Sequence, residues 1–224
     1  MCAPRRPTLQ AVADAGTIRE RVQRALETRI AAGVVPEGAL LTVPGLAAEF
    51  AVSATPVREA VLELQRRGFV EPARNRGFVV TAVAARHAEY VAAVRLLLEP
   101  PAMAAVAALP LGAEEPRLRG LAAAIGAHAV AGDLGAYLDA DRTFHLALTD
   151  LAGNPMLSAV VEDLRARTRL PGLGALVGRD ELSASAAEHD ELLDRLVAGD
   201  GEGAAAVMRR HIGHTTGWWA GLPE

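Results

Sequence analysis

Residues 46–80, LAAEFAVSATPVREAVLELQRRGFVEPARNRGFVV, switch periodicity within one short span, and few folds accommodate such a switch. Leu46 to Phe50 hold a short helical pattern, and Ala51-Val52 interrupt it. Thr55 reads as an N-cap and Pro56 as the first residue of a second helix, which runs to Arg67 and stops at Gly68. On that helix Val57, Val61 and Leu64 share one face, while Arg58, Glu59, Gln65 and Arg66 point elsewhere. The period then changes to that of a strand. Phe69-Val70 and Phe78-Val79-Val80 flank EPARNRG, which predicts a hairpin with Arg74, Asn75 and Arg76 at its tip.

An earlier helix precedes this unit. Thr17 and Glu20 stand in capping-box positions, Ile18, Val22, Leu26 and Ile30 follow at helical spacing, and Gly33 ends the run. Pro44 fits the first turn of the next helix. Helix, helix, turn, helix, hairpin is the order of a winged helix-turn-helix. Such a unit lays its last helix in the major groove of duplex DNA while arginines on helix and wing neutralise phosphates. Charge agrees with that reading. Residues 1–81 hold 11 Arg against 8 acids, whereas residues 82–224 hold 12 Arg against 19 acids, and there is no Lys. A purely protein-binding module is the alternative use of the same fold, and arginine on both helix and wing favours DNA.

Residues 82–224 show no convincing alternation, so an all-α bundle is expected, with helices near 84–99, 101–109, 113–131, 133–152, 155–169, 182–198 and 201–219. The Pro100-Pro101 pair is expected to break the first of these, because each ring removes a helical hydrogen bond. Apolar residues make up 51% of the chain, enough to fill the cores of two domains. Cys2 is the only cysteine, which excludes a disulfide framework and a thiolate metal site within one chain. Residues 1–16 are expected to be disordered and lack the apolar core of a signal peptide. The longest uncharged stretch, residues 100–113, is too short to span a bilayer. A cytoplasmic protein with no membrane partner is the expectation.

The informative polar residues fall on apolar stripes. Winding the helices at about 100° per residue places Asp141 and His145 near the centre of one stripe, and His189 and His211 at the centres of two others. Glu188, Asp190, Glu191 and Asp194 are expected to face outward. A single buried His or Asp is ordinarily a hydrogen-bonded core residue, but a buried carboxylate with three buried imidazoles is satisfied at once by one divalent metal. His87, His128 and His214 read as solvated or locally bonded, with His214 a substitute ligand. Arg95, if inward, could bind an effector carboxylate bidentately or pair with Glu99 or Glu162. Trp218 and Trp219 close the last helix as core or interface residues. A metal-dependent hydrolase or lyase is the rival function. Against it, no nucleophile motif or separate general base is visible, and PGLGALVG at 171–178 lacks the strand-then-helix setting of a phosphate loop and reads as a mobile connection.

LAAEFAVSATPVREAVLELQRRGFVE…RGFVV resembles the N-terminal domain of the GntR family of bacterial transcription regulators, over residues 17–81. The resemblance implies that Ser53, Thr55 and Arg58 sit at the start of the recognition helix and that Arg74, Asn75, Arg76 and Gly77 form the wing, with Arg66 another outward arginine towards DNA. Ala51 stands where the family has a turn Gly, and Ala54 where it usually has an Arg, so a base contact is lost. DRTFH, the EH before Leu192-Leu193, MRRHI and RLLLE resemble the FCD effector domain found in one branch of that family. That resemblance implies metal ligation by Asp141, His145, His189 and His211, with zinc the first expectation and nickel or manganese the alternatives. The expected protein is a homodimeric repressor on a palindromic operator. Its head is residues 17–81, and its domain 82–224 senses a small carboxylate effector, with Arg95 as the effector contact.

Overall fold

The computed structural model of the chain describes residues 16–82, 85–168, 170 and 173–217. Two compact units emerge, one taking residues up to 30 together with 35–82, the other taking 31–34 and everything from 83 onward. The expectations for residues 1–15 and for Trp218 and Trp219 lie outside the described residues.

The first unit runs α1 (Ile18–Ala31), β1 (Leu40–Leu41), α2 (Val43–Phe50), α3 (Ala54–Arg66), β2 (Val70–Ala73) and β3 (Gly77–Val80). The capping box forms as expected: the Thr17 amide donates to Glu20 Oε2 at 2.9 Å, and the Glu20 amide to Thr17 Oγ1 at 3.3 Å. Val22, Leu26 and Ile30 of α1 share one core with Leu46, Phe50, Val57, Val61, Leu64 and Phe69. Helix α2 is capped by Thr42, whose hydroxyl accepts from the Gly45 amide at 3.1 Å. It ends at Ala51, in the left-handed region at φ 54°.

That tight turn corrects the expected start of α3. Ser53, in extended conformation, is the residue before the helix, and Thr55 lies within its first turn. The left-handed turn brings the chain round two residues sooner than the Thr-Pro signal suggested. Pro56 is tolerated there because first-turn amides have no helical acceptor. The sheet has β3 in its centre, antiparallel to both neighbours, with Leu41 opposite Phe78 and Ala73 opposite Gly77. Gly77 has φ 127°, and a Cβ on it would lie 2.2 Å from the Leu41 carbonyl oxygen. Only glycine lets β1 come so close to β3.

The second unit holds α4 (Ala85–Ala107), α5 (Glu115–Ala131), α6 (Leu134–Leu151), α7 (Pro155–Arg167), α8 (Asp180–Val197) and α9 (Gly201–Gly213). The break expected at Pro100-Pro101 does not occur, and α4 runs straight through both prolines. The two rings free the carbonyls of Leu96 and Leu97. Both residues are exposed, Leu97 at 74%, so water can meet those carbonyls. Packing of α4 on α9, and on α6, α7 and α8, holds the remainder. By length and composition Ala88–Ala107 would suit a membrane span. Its buried Arg95, Glu99, Met103 and Val106 make it instead the central helix of the bundle.

Two other boundaries differ from expectation. The last helix ends at Gly213, not near 219, because the Thr215 and Thr216 hydroxyls donate back to the carbonyls of Ile212 (2.7 Å) and Gly213 (3.0 Å). The glycine-rich stretch expected as a mobile connection contains a 3-10 turn, Leu173–Leu176, with both leucines in the core. That core also takes Leu118, Ile125, Tyr137, Phe144, Leu148, Leu192, Val207 and Met208.

Candidate metal centre and DNA-binding face

Helix α6 carries Tyr137, Asp141, His145 and Thr149 at four-residue steps, so all four project from one face, and all four are buried. His189 of α8 and His211 of α9 are aimed at the same point. One donor atom from each of Asp141, His145, His189 and His211 lies within 4.8 Å of the others. His145 Nε2 is 3.2 Å from both His189 Nε2 and His211 Nε2. Asp141 Oδ1 stands 3.0 Å from His189 Nε2 and 3.5 Å from each of the other two Nε2 atoms. A tetrahedral ion with bonds of about 2.0–2.1 Å would have ligand edges of roughly 3.3 Å. The structure thus brings the four expected residues together at metal-binding spacing.

Hydrogen bonding on the far side of the rings fixes two tautomers. His189 Nδ1 donates to the Ala186 carbonyl at 2.9 Å, and His211 Nδ1 to Glu188 Oε2 at 3.0 Å. In neutral rings both Nε2 atoms therefore present lone pairs to one another's neighbourhood and to the Asp141 carboxylate. Acceptors at such separations repel unless a cation lies among them. Burial, with the Arg165 charge, pushes His145 well below its usual range and so favours neutral imidazole, the ligating form. Phe144 packs edge-on to His145 and His189, which limits ring rotation. The donor set fits a divalent metal ion.

Two charged residues at the site were not anticipated. Arg165 of α7 donates to Asp141 Oδ2 at 3.2 Å and to Glu99 Oε2 through both Nε (3.1 Å) and Nη2. Its signal was the stripe Val161, Arg165, Thr168, in which Val161 is wholly buried. Glu188, expected to face solvent, is instead buried between α8 and α9. Its Oε1 accepts from Arg210 Nε (2.6 Å) and His214 Nε2 (3.1 Å), and these donors with His211 hold its carboxyl well below the ordinary range against the opposing effect of burial. His214 is accordingly buried and bonded to Glu188. His128 is half-buried, and the side chain of His87 lies outside the described residues. Arg95 points inward, as considered, and its partners are Glu99 Oε1 (2.6 Å) and Thr168 Oγ1 (3.4 Å), while Glu162 pairs with Arg142.

In the first unit Ser53, Thr55, Arg58, Arg66, Arg74, Asn75 and Arg76 are all exposed, opposite the buried Val57, Ala60, Val61 and Leu64 of α3. Arg66 pairs with Glu63 at 2.6 Å; Arg58, Arg74 and Arg76 have no carboxylate partner among the described residues. Gly77 is half-buried, so its part in the wing is to let the backbone pass close to Leu41.

Comparison with known proteins agrees with both units. Residues 18–80 match the family model "Bacterial regulatory proteins, gntR family", and residues 90–214 match the FCD domain. The chain is 28% identical over 199 residues to the HTH-type transcriptional regulator McbR of Escherichia coli (strain K12), covering 86% of this chain and 90% of that protein. It is 29% identical over 197 residues to a probable D-xylose utilization operon transcriptional repressor of Paenarthrobacter nicotinovorans, covering 88% and 86%. The solved structure of E. coli McbR/YncC superposes with a TM-score of 0.76 at 26% identity, over 89% of this chain and 95% of that one. A GntR regulator structure from Rhodococcus sp. RHA1 shares the fold, with a TM-score of 0.68 at 22% identity over 92% and 99%. These are regulators, which sets aside the hydrolase or lyase reading. The chain belongs to the GntR family of bacterial transcription regulators, in the branch whose DNA-binding winged head is followed by an FCD domain.

Proposed function

We propose that the protein is a one-component repressor whose winged head holds a palindromic operator and whose FCD domain, loaded with a divalent metal, senses a small carboxylate. The observation that carries this reading is the convergence of Asp141, His145, His189 and His211 with two imidazole tautomers fixed for ligation. Nitrogen-rich ligation favours zinc, with nickel or manganese as alternatives. Charge supports an anionic effector. Around the site, Asp141 and Glu99 are matched by Arg95 and Arg165, and Arg210 faces both Glu188 and Glu191, so with neutral imidazoles a divalent ion leaves one positive charge unmet. Arg95 serves this balance through Glu99. When bound, the metal supplies an electrophile that can accept a carboxylate oxygen. Repression is supported by the printed name of the P. nicotinovorans relative.

A homodimer suits a palindromic site. The solvent side of α4 favours it as the joining face: Tyr90, Val94, Leu96 and Leu97 are exposed, and the charged residues beside them, Arg95 and Glu99, are buried. Two copies of this strip, about 10 Å long, meet without burying an unpaired charge. Effector can change DNA affinity only by binding two arrangements of the protein unequally.

The test is selection of bound duplex from a random pool by the full chain, repeated with a chelator and with candidate carboxylic acids, alongside metal analysis. One metal per chain and an acid-sensitive, palindromic preference are expected. No preference for any duplex over random competitor refutes the reading. Leu97→Glu should convert dimer to monomer in sedimentation and weaken operator binding; an unchanged dimer refutes the α4 face.

A further inference from the structure

The outer nitrogens of the three imidazoles are held in three different ways. His189 Nδ1 uses a carbonyl of its own helix, and His145 Nδ1 is buried without a hydrogen-bond partner among the described residues. His211 Nδ1 alone is held by a carboxylate, Glu188, on the side of the ring away from the other donors. The same carboxylate accepts from Arg210 and from His214, so one residue of α8 gathers three side chains at the end of α9 and the turn after it. Arg210 is half-exposed and has a second partner, Glu191, at 2.5 Å.

We infer that Glu188 is a positioning residue for the metal centre: it fixes the tautomer and aim of His211, and through His211, Arg210 and His214 it makes metal binding and the seating of α9 on α8 a single coupled event. The inference rests on the metal reading above. A carboxylate accepting from Nδ1–H keeps the proton there, leaves the Nε2 lone pair for the ion and raises its basicity; removing such a partner typically lowers metal affinity about 10–100-fold. Coupling is reciprocal, so a metal that needs an oriented His211 must also favour the docked end of α9. An ordinary interhelical ion pair makes the opposite demand. In that case Arg210, the only permanently charged partner, would matter as much as Glu188, although a half-exposed pair contributes little.

The experiment titrates cobalt, then zinc in competition, into the full-length protein, its Glu188→Gln variant and its Arg210→Gln variant. Amide exchange across α9 and the melting temperature of each metal-free protein are followed in parallel. The expected result is a loss of affinity of about 10–100-fold and an altered cobalt spectrum for Glu188→Gln. Its α9 should gain less exchange protection on metal addition than that of the wild type. Arg210→Gln should keep its affinity within about two-fold, as expected of an exposed pair. Equal metal affinity of Glu188→Gln and wild type, or an equal loss in Arg210→Gln, overturns the inference. Imidazole nitrogen NMR of the zinc-loaded wild type checks it without any variant: His211 must carry its proton on Nδ1, and the other tautomer overturns it. Wild-type protein that takes up none of these metals fails at the metal reading itself, an outcome distinct from intact uptake with an indifferent Glu188.

Discussion

Gly77→Ala is a severe test of how the head is built. The native φ of 127° lies in a region that L residues rarely adopt, which costs ~1–3 kcal/mol for alanine. The new methyl would also stand 2.2 Å from Leu41 O, 3.3 Å from Leu41 C and 3.4 Å from Thr42 Cα, all backbone atoms that cannot rotate away. Strand β1 must therefore withdraw from β3, and overpacking of this kind adds ~1–3 kcal/mol. Together these reach ~2–6 kcal/mol, against a total stability of roughly 3–10 kcal/mol for a unit of this size. The head should lose about half or more of its stability while the FCD unit is unaffected. Urea unfolding followed by circular dichroism should move the head transition to a markedly lower midpoint, and fluorescence anisotropy should show operator binding lost at urea concentrations where the variant head has unfolded and the wild-type head has not. Metal content should not change. An unaltered unfolding midpoint with unaltered operator affinity would refute the β1–β3 register and the role given to Gly77.

Ala51→Gly should act in the opposite direction. An alanine held at φ 54° costs ~1–2 kcal/mol, glycine's extra freedom in the unfolded chain takes back part of that, and a net gain of about 0.5–1 kcal/mol should appear as a higher urea midpoint at constant slope. A lower midpoint would show that the turn is not left-handed. Burial raises the Glu99 carboxyl, but Arg165 and Arg95 outweigh it and hold it at about 2, below its ordinary 4.5. Because the folded value is the lower one, the stabilisation is complete above pH 4.5 and is lost as pH falls from there towards 2. Glu99→Gln should flatten that part of the stability curve, measured by thermal melting across the window. Parallel curves for variant and wild type would refute the assignment.

Much of the candidate site was legible because regular helices convert spacing into direction. Asp141 and His145 are four apart on a stripe that also carries Phe144 and Leu148, and winding α6 was enough to turn them inward. His189 and His211 followed from the same rule. Glu188 did not, because it lies about 100° around the helix from His189 and its burial depends on where α9 packs, which no single helix encodes. Arg165 stood on a buried stripe with Val161, but a guanidinium at such a position reads as a surface residue until its carboxylate partner is known; Arg95 could be read inward, and the Glu99 pairing considered for it is the one that forms. In the head, the hairpin, the capping box and the outward arginines were local and therefore readable. The start of α3 was not, because the left-handed Ala51 carries no sequence signal comparable to glycine. Pro100-Pro101 misled for a related reason: tertiary packing of α4 outweighed a strong local preference.

That same proline pair has a mechanical consequence. The turn of α4 that contains Glu99 lacks two backbone rungs, those that residues 100 and 101 would make to the carbonyls of Leu96 and Leu97, so the helix resists bending least there. Buried Val91, Ala92 and Arg95 hold the helix before this joint, and Met103 and Val106 hold it after. A bend at this point would displace Glu99, and with it the carboxylate that holds Arg95 and Arg165.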